Sequence, residues 1–130
     1  MIKIICLGRL RERFYSEAVE EYRKRIEKFF RFDIVETDEI KDFGDFNIFL
    51  DENGKEMSSQ EFANFLKYIL LKYKNVYFFI GSYKGFEEKK NADFTLSLSK
   101  MTFPYQLCRV ILIEQIYRAI TIIKGINYQK

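Results

Sequence analysis

The segment from Leu96 to Phe103 is the part of the chain best suited to bind a ligand. Apolar and polar residues alternate up to Ser99, and a short connection from Lys100 then reaches Pro104, the only proline. Proline suits the first turn of a helix, where its missing N–H costs nothing. A connection that leads into a helix exposes free backbone N–H groups, which suit a polar or anionic ligand. A strand, a loop and a core helix without any ligand would show the same pattern.

Two further connections follow apolar runs and could also approach a ligand. Gly81 and Gly85 follow the run 76–80, and the turn signal from Asp51 to Gly54 follows the run 46–50. Glycine lets a ligand come close to the backbone because it has no Cβ. The spacing matches neither GxGxxG nor a P-loop, so a simple tight turn explains these glycines equally well.

The composition excludes several kinds of catalytic site. The chain has no histidine, which rules out Ser/His/Asp and Cys/His units, and general-base chemistry would fall to a carboxylate, tyrosine or lysine. Cys6 and Cys108 lie in apolar segments without metal-ligand spacing, so we expect no metal and a reducing compartment. The first apolar run is too short for a signal peptide, and no run approaches a membrane span. We therefore expect a cytoplasmic protein with no membrane partner.

Continuous apolar runs alternating with helical patterns predict the elements that position these connections. They indicate an α/β fold in one domain over residues 1–130, with a mostly parallel sheet and helices on both faces. In such sheets ligands bind beyond the carboxyl ends of the strands, where three of the connections should meet. The predicted strands are 2–7, 32–36, 46–50, 76–80 and 94–98. The predicted helices are 14–30, a second from Ser58 or Ser59 to Lys74, and a short helical turn at 87–92. A last helix is predicted with one side formed by Leu107, Val110, Ile111, Glu114, Tyr117, Arg118 and Thr121.

Charge is distributed unevenly along the chain. The net charge is +4 over residues 1–31, −8 over residues 32–61 and +7 over residues 62–130. Two basic ends around an acidic middle could form a basic face suited to a polyanion such as RNA. Arg9, Arg11 and Arg13 could form a basic entrance beside the end of the first strand. Solvated helix faces and a solvated loop would give the same counts.

Residues spread over nearly the whole chain carry a family resemblance. They are IKIICLGRL at 2–10, Tyr22, Leu50, Asp51, Gly54, Ser59, Phe62, Ala63, Phe79 to Gly81, Gly85, the run LSLSKMTFP at 96–104, Gln106, Leu107, Arg109, Val110, Leu112, Glu114, Gln115 and Tyr117 to Ala119. With these residues the chain resembles the RlmH family, small SPOUT-class methyltransferases that modify ribosomal RNA. The run at 96–104 is the longest and most specific part of the match.

The resemblance implies a fold, a cofactor and partners. It implies a SPOUT-type domain whose C-terminal segment forms a trefoil knot, a homodimer built largely through the last helix, and S-adenosylmethionine as cofactor. The expected reaction is methylation of N3 of a pseudouridine in large-subunit ribosomal RNA, on the ribosome. Carried over by position, the cofactor-binding residues are Leu50, Gly81, Leu98, Ser99, Lys100, Met101, Thr102 and Phe103.

The residues expected to act on the substrate lie near the end of the chain. Tyr128, Lys130 and Arg118 are the candidates for placing the base or stabilising its anion, with Lys84 as a further candidate. The alternative role for Arg118 is an ion pair with Glu114 within the helix.

Two departures from the family pattern concern histidines. Tyr105 stands where the family usually has a histidine after the proline, and Gln129 replaces a histidine near the end. A catalytically impaired SPOUT protein that only binds RNA is therefore an alternative. A nucleotide-binding α/β domain with a coincidental resemblance is another.

Overall fold

The computed structural model describes residues 1–82, 86 and 91–128. These residues form five strands and three helices, and the predicted element order is confirmed for them. The strands are β1 (Ile2–Leu7), β2 (Phe32–Thr37), β3 (Phe46–Glu56), β4 (Val76–Ile80) and β5 (Phe94–Ser97), and the helices are α1 (Arg13–Glu27), α2 (Ser59–Lys72) and α3 (Tyr105–Lys124). Most of the helical turn predicted at 87–92 lies outside the described residues.

The strands form one parallel sheet in the order β2-β1-β4-β3-β5. Every strand therefore ends at the same edge, which we call the carboxyl edge. The segments that follow β3, β4 and β5 all emerge there, as the continuous apolar runs predicted. This edge is where open parallel sheets place their ligands.

The three helices pack on one face of the sheet, with α3 between α1 and α2. The prediction of helices on both faces is wrong for the described residues. On the opposite face, Phe49 and Phe79 stack with ring centroids 4.4 Å apart, and Ile40 and Phe43 cover them. The connection between β2 and β3 spans only residues 38–45, which is too short for a helix with its turns. Ile40 and Phe43 of this connection cover the face instead, together with Phe86 and Ala92.

Strand β3 continues beyond the predicted end at Leu50, because residues 51–54 form a bulge and not a terminating turn. Leu50 and Lys55 both pair with Leu96 of β5, so the residues between them add length on one strand only. A Cβ on Gly54 would lie 2.7 Å from the carbonyl carbon of Thr95. Backbone approaches this closely only where no side chain intervenes, which explains the glycine.

Helix ends follow the local sequence signals. Ser58 caps α2 and shares a reciprocal capping box with Glu61, which confirms the predicted start. Pro104 immediately precedes α3, and Gly125 ends the helix in the left-handed conformation with φ 68°. Helix α1 ends at Glu27, before the predicted Phe30. None of the helices in the described part of the chain combines the length and apolar character that a membrane crossing requires.

The buried side of α3 is not the side on which the sequence pattern placed Leu107 to Thr121. Of the predicted stripe only Thr121 is buried, whereas Leu107, Val110, Ile111 and Tyr117 are half-buried. The buried residues are Arg109, Leu112, Ile113, Ile116, Ala119, Ile120 and Thr121. Helix α3 is apolar on more than one side, so its periodicity alone could not identify the side that faces the sheet.

Candidate functional site

A cavity of about 440 Å³ opens at the carboxyl edge, between the segments that follow β3, β4 and β5. Its walls come from all three predicted connections and from the first turn of α3. The lining residues are Leu50, Asp51, Glu52, Asn53, Ile80, Gly81, Ser82, Phe86, Leu96, Leu98, Ser99, Met101, Thr102, Phe103, Tyr105 and Cys108. Seven of the eight residues predicted to bind a cofactor are among them.

Lys100 is the exception among those eight. Its ammonium group lies 3.7 Å from Glu56 Oε1, and its side chain is exposed. The cofactor-binding role of all eight residues remains a prediction, since the structure shows only where they lie.

Hydrogen bonds fix the segment after β5 against the bulge of β3. Thr102 Oγ1 donates to Glu52 Oε2 at 2.9 Å, and Ser97 Oγ lies 3.2 Å from the Glu52 carbonyl oxygen. Within the segment, Met101 N–H donates to Ser99 Oγ at 3.0 Å. These polar residues hold two walls of the cavity in a fixed relation, which is what a preformed ligand site requires.

The cavity has an acidic wall that the sequence reading missed. Asp51 and Glu52 line it beside the apolar side chains of Leu50, Leu96 and Leu98. Two carboxylates next to an apolar surface suit a ligand with a cationic centre and a flat apolar part. The sequence contains a signal for this wall, because an acidic pair directly follows the apolar run 46–50, but the prediction for this segment rests on its turn signal and on Gly54 and not on its charge.

The first turn of α3 forms the wall that faces the beginning of the chain. Tyr105 and Cys108 line the cavity, and Tyr105 Oη donates to the carbonyl oxygen of Arg9 at 3.4 Å. Burial raises the pKa of the Cys108 thiol, so it stays protonated at neutral pH. Neither residue had been assigned to the cavity from the sequence.

A buried ion pair lies one helical position beyond Cys108. Arg109 is 2% exposed, its Nη1 donates to Glu36 Oε2 at 2.6 Å, and its Nη2 donates to the Gly8 carbonyl oxygen at 3.3 Å. Burial by itself would raise the pKa of Glu36, but the hydrogen bonds from Arg109 and Leu10 N–H outweigh it and lower that pKa. The pair joins the ends of β1 and β2 to α3.

Residues 8–12, which we call the 8–12 connection, are held by side chains from other elements. Leu10 N–H donates to Glu36 Oε2 at 2.9 Å. Gln106 Oε1 accepts the N–H groups of Arg11 at 2.8 Å and Glu12 at 3.2 Å. Arg9 and Arg11 are exposed, as is Arg13, which pairs with Glu17. The three arginines therefore lie on or next to an ordered connection beside the cavity, and their role as a basic entrance stays a prediction.

The end of the described chain packs against α1 and α3. Tyr128 Oη donates to Glu114 Oε2 at 2.9 Å and lies 3.3 Å from Tyr22 Oη. Arg118 Nη2 lies 2.7 Å from Glu114 Oε2, and its guanidinium lies 4.7 Å from the centroid of the Tyr128 ring. We call Tyr22, Glu114, Tyr117, Arg118 and Tyr128 the tail cluster. Arg118 is thus in the intrahelical ion pair that was its alternative role.

The tail cluster cannot supply a free base at neutral pH. Burial first, and then the hydrogen bonds with Tyr22 and Glu114, raise the pKa of Tyr128 above its ordinary value, which keeps the phenol neutral. The hydrogen bond to Glu114 raises the pKa of Arg118, which therefore stays charged. The Tyr128 hydroxyl and the Arg118 guanidinium both bond to Glu114, and their action on a substrate stays a prediction.

The tail cluster and the cavity are separate within one protomer. Helix α3 rises about 1.5 Å per residue, so Glu114 and Arg118 lie about 9 and 15 Å beyond Cys108 along its axis. The predicted catalytic residue Lys130, the candidate Lys84, and Gly85 and Gln129 lie outside the described residues.

Ion pairs account for part of the uneven charge distribution. The acidic middle of the chain neutralises lysines and an arginine from both basic ends, through Lys3–Asp42 at 3.0 Å, Lys100–Glu56 at 3.7 Å and Arg109–Glu36. A smaller set of cations remains for a polyanion.

Comparison with known proteins shows which family the sequence matches. A family model described as predicted SPOUT methyltransferase matches residues 1–129. Proteins named ribosomal RNA large subunit methyltransferase H are similar over the full length. The one from Coprothermobacter proteolyticus is 42% identical over 137 residues, with 99% of each chain covered. The one from Caldicellulosiruptor bescii is 42% identical over 154 residues, with both chains covered completely. The one from Streptococcus pyogenes is 35% identical over 157 residues, again covering 99% of each.

Proposed function

Given that the chain belongs to the SPOUT methyltransferase family, we propose that it transfers a methyl group from S-adenosylmethionine to N3 of a pseudouridine in large-subunit ribosomal RNA. The observation that carries this proposal is the cavity at the carboxyl edge, lined by the sequence run most characteristic of the resemblance. The full-length relatives named for ribosomal RNA methylation support the substrate class.

The residues around the cavity fit the proposed cofactor. Its volume of about 440 Å³ falls within the range of about 300–1,000 Å³ usual for small-molecule sites. Asp51 and Glu52 suit the cationic sulfonium and ammonium groups, and Leu50, Leu96 and Leu98 suit the adenine. When bound, the cofactor supplies an activated methyl group, so the protein's main task is to align the nucleophile with it.

Gly81→Val is expected to weaken binding of S-adenosylmethionine to below detection by titration calorimetry. Gly81 lines the cavity at the end of β4, and a branched side chain there would take up space that the cofactor needs. Asn127→Val is the matched control, because the exposed Asn127 lies beyond the far end of α3 and does not line the cavity. If the wild-type protein gives no heat with the cofactor or its demethylated product, the cofactor assignment is wrong.

The tail cluster supports a role in handling the base. N3 of pseudouridine must lose a proton before or during methyl transfer, and nearby positive charge stabilises the developing anion. Arg118 can provide such charge, and Tyr128 can stack on the base or donate a hydrogen bond to it. Lys130 would add a second cation. We assign Tyr128, Arg118 and Lys130 to positioning and electrostatic stabilisation.

A homodimer is part of the proposal, and α3 would form most of its interface. Leu107, Val110 and Ile111 form an apolar stripe that one protomer leaves half-exposed, beside the half-buried Tyr117. A second copy packed on this stripe would cover it and bring a second tail cluster to the same helix. We expect a dimer by sedimentation at micromolar concentration, and Ile111→Glu should shift it towards monomer. Sedimentation of the wild type as a monomer would contradict the dimer.

The proposed fold also includes the C-terminal trefoil knot. The family resemblance implies it, and the hydrogen bonds that join Thr102 and Ser97 to Glu52 are compatible with it.

The decisive test of the reaction is mass spectrometry of ribosomal RNA from cells that lack the protein. We expect one pseudouridine to lose a single methyl group, and purified protein with S-adenosylmethionine to restore it. Ribosomal RNA that is unchanged in the deletion strain would refute the proposed reaction.

A further inference from the structure

The arginines of this chain divide into paired and unpaired ones. Arg13, Arg23, Arg25, Arg109 and Arg118 form ion pairs with glutamates. Arg9, Arg11 and Arg31 form none with any described residue. Arg9 and Arg11 lie at the carboxyl edge beside the cavity, whereas Arg31 directly precedes β2 at the opposite edge of the sheet. The two unpaired arginines at the carboxyl edge are free to meet an anion there.

The backbone of each residue in the 8–12 connection forms a hydrogen bond with a side chain from β2 or α3. The carbonyl oxygens of Gly8 and Arg9 accept from Arg109 and Tyr105. The N–H group of Leu10 donates to Glu36, and those of Arg11 and Glu12 donate to Gln106. An exposed loop with only a connecting role does not need to be ordered by side chains from β2 and α3, and ordering costs about 1–2 kcal/mol per residue. A connection held in this way presents its charged side chains with little further entropy to lose on binding.

The charge around the cavity places a polyanion on the side of the 8–12 connection. Asp51 and Glu52 repel phosphate from the wall formed after β3. The facing wall contains Tyr105 and Cys108, on the same turn of α3 as Gln106 and Arg109, which hold the connection. Among the described residues, Arg9 and Arg11 are the unpaired arginines on this side of the cavity, where they can contact phosphates that flank a nucleotide at the cavity mouth.

We propose that Arg9 and Arg11 bind RNA backbone phosphates next to the target nucleotide, and that Gln106 and Glu36 are positioning residues that hold the 8–12 connection for this contact. The proposal rests on the proposed function, which supplies RNA as the substrate. It adds the surface that guides the RNA backbone to the cofactor cavity.

The test compares Arg9→Ala/Arg11→Ala with Arg31→Ala, which removes another exposed arginine without an ion pair, from the opposite edge. Binding to large ribosomal subunits is measured over a series of salt concentrations, and cofactor affinity is measured by calorimetry. Each phosphate contact contributes about 1 to the slope of log K against log salt, so the double variant should lose about 2. Arg31→Ala should retain the wild-type slope, and cofactor affinity should be unchanged in both.

Gln106→Met separates positioning from contact, because it removes the acceptor of two N–H groups but leaves both arginines in place. We expect weaker binding to large subunits with the wild-type salt slope, since the same phosphates are contacted at a higher entropic cost. An unchanged affinity would show that Gln106 does not position the connection.

The possible failures can be told apart. If wild-type protein binds large subunits and the double variant behaves like Arg31→Ala, the phosphate contact is wrong and the proposed function stands. If wild-type protein binds the subunits but methylates nothing, the proposed reaction fails while the contact is still judged by the salt slopes. If wild-type protein does not bind the RNA at all, both proposals fail.

Discussion

Glu36→Leu is expected to lower the free energy of unfolding by about 3 kcal/mol, at the lower end of what breaking a buried ion pair costs. The change leaves the guanidinium of Arg109 charged, 2% exposed and without its carboxylate. It also removes the acceptor of Leu10 N–H. The Glu36 side chain is 36% exposed, so solvent already weakens the pair and the loss should not be larger. Chemical denaturation followed by circular dichroism measures this difference.

Two variants show whether the loss comes from the uncompensated charge. Glu39→Leu is the matched control, because Glu39 pairs with Lys41 at 3.5 Å with both side chains about three-quarters exposed, and such pairs contribute about 0–1 kcal/mol. Glu36→Leu/Arg109→Leu removes both charges and should recover part of the stability. Equal losses in Glu36→Leu and Glu39→Leu would show that the buried pair does not stabilise the fold.

The same pair predicts how stability changes with pH. The pKa of Glu36 is lowered in the folded protein from its ordinary value of 4.5, so the folded state releases this proton more readily than the unfolded chain. The stabilisation is therefore fully present above pH 4.5 and is lost as the pH falls through the lower, folded-state pKa. In Glu36→Leu, this part of the acid destabilisation should be missing.

Local patterns were sufficient to predict the strands and the cavity edge. Val76 to Ile80 is a continuous apolar run because its strand lies at the centre of the sheet and is buried on both faces. Parallel strands have their carboxyl ends at one edge of the sheet, so the prediction of a parallel sheet was enough to place the three connections at the same edge. The capping box of Ser58 and Glu61 was readable for the same reason, since both residues lie within one helical turn.

Contacts between distant residues were not predictable in this way. Glu36 and Arg109 are 73 positions apart, and no periodicity links a residue at the end of β2 with one on α3. The placing of the three described helices on one face depends partly on the eight residues between β2 and β3, which are too few for a helix and whose apolar side chains cover the other face. The acidic cavity wall was missed because a bulge in β3 turns Asp51 and Glu52 towards the cavity, where a terminating turn had been expected.

Truncation after Asn127 is expected to slow single-turnover methylation of ribosomes by about a hundredfold or more. It removes Tyr128, Gln129 and Lys130, and the loss of one electrostatic or acid–base group typically costs about 10²–10³-fold. Cofactor affinity should be unchanged, because Tyr128 is not among the residues that line the cavity. Single-turnover assays with saturating cofactor measure the rate, and calorimetry measures the affinity.

Tyr128→Phe separates the hydroxyl group from the aromatic ring. The variant loses the hydrogen bond to Glu114, while the ring can still stack against Arg118. If the ring stacks on the base, Tyr128→Phe should retain most of the activity that truncation removes. If the hydroxyl group orients the base, the two variants should be equally slow.

Gln129→His tests what the missing histidine would contribute. Glutamine can donate a hydrogen bond to a base carbonyl but cannot exchange a proton, so the wild-type rate should rise with pH as N3 itself ionises. The phenol of Tyr128 is kept neutral by its raised pKa and cannot produce this pH dependence near neutrality. Histidine titrates near pH 6.5, so Gln129→His should increase the rate most at neutral pH.

A truncated protein that methylates as fast as wild type would exclude any catalytic role of the tail. If none of the variants and not even the wild type methylates, although cofactor and RNA both bind, the chain is a SPOUT protein that has kept RNA binding and lost turnover.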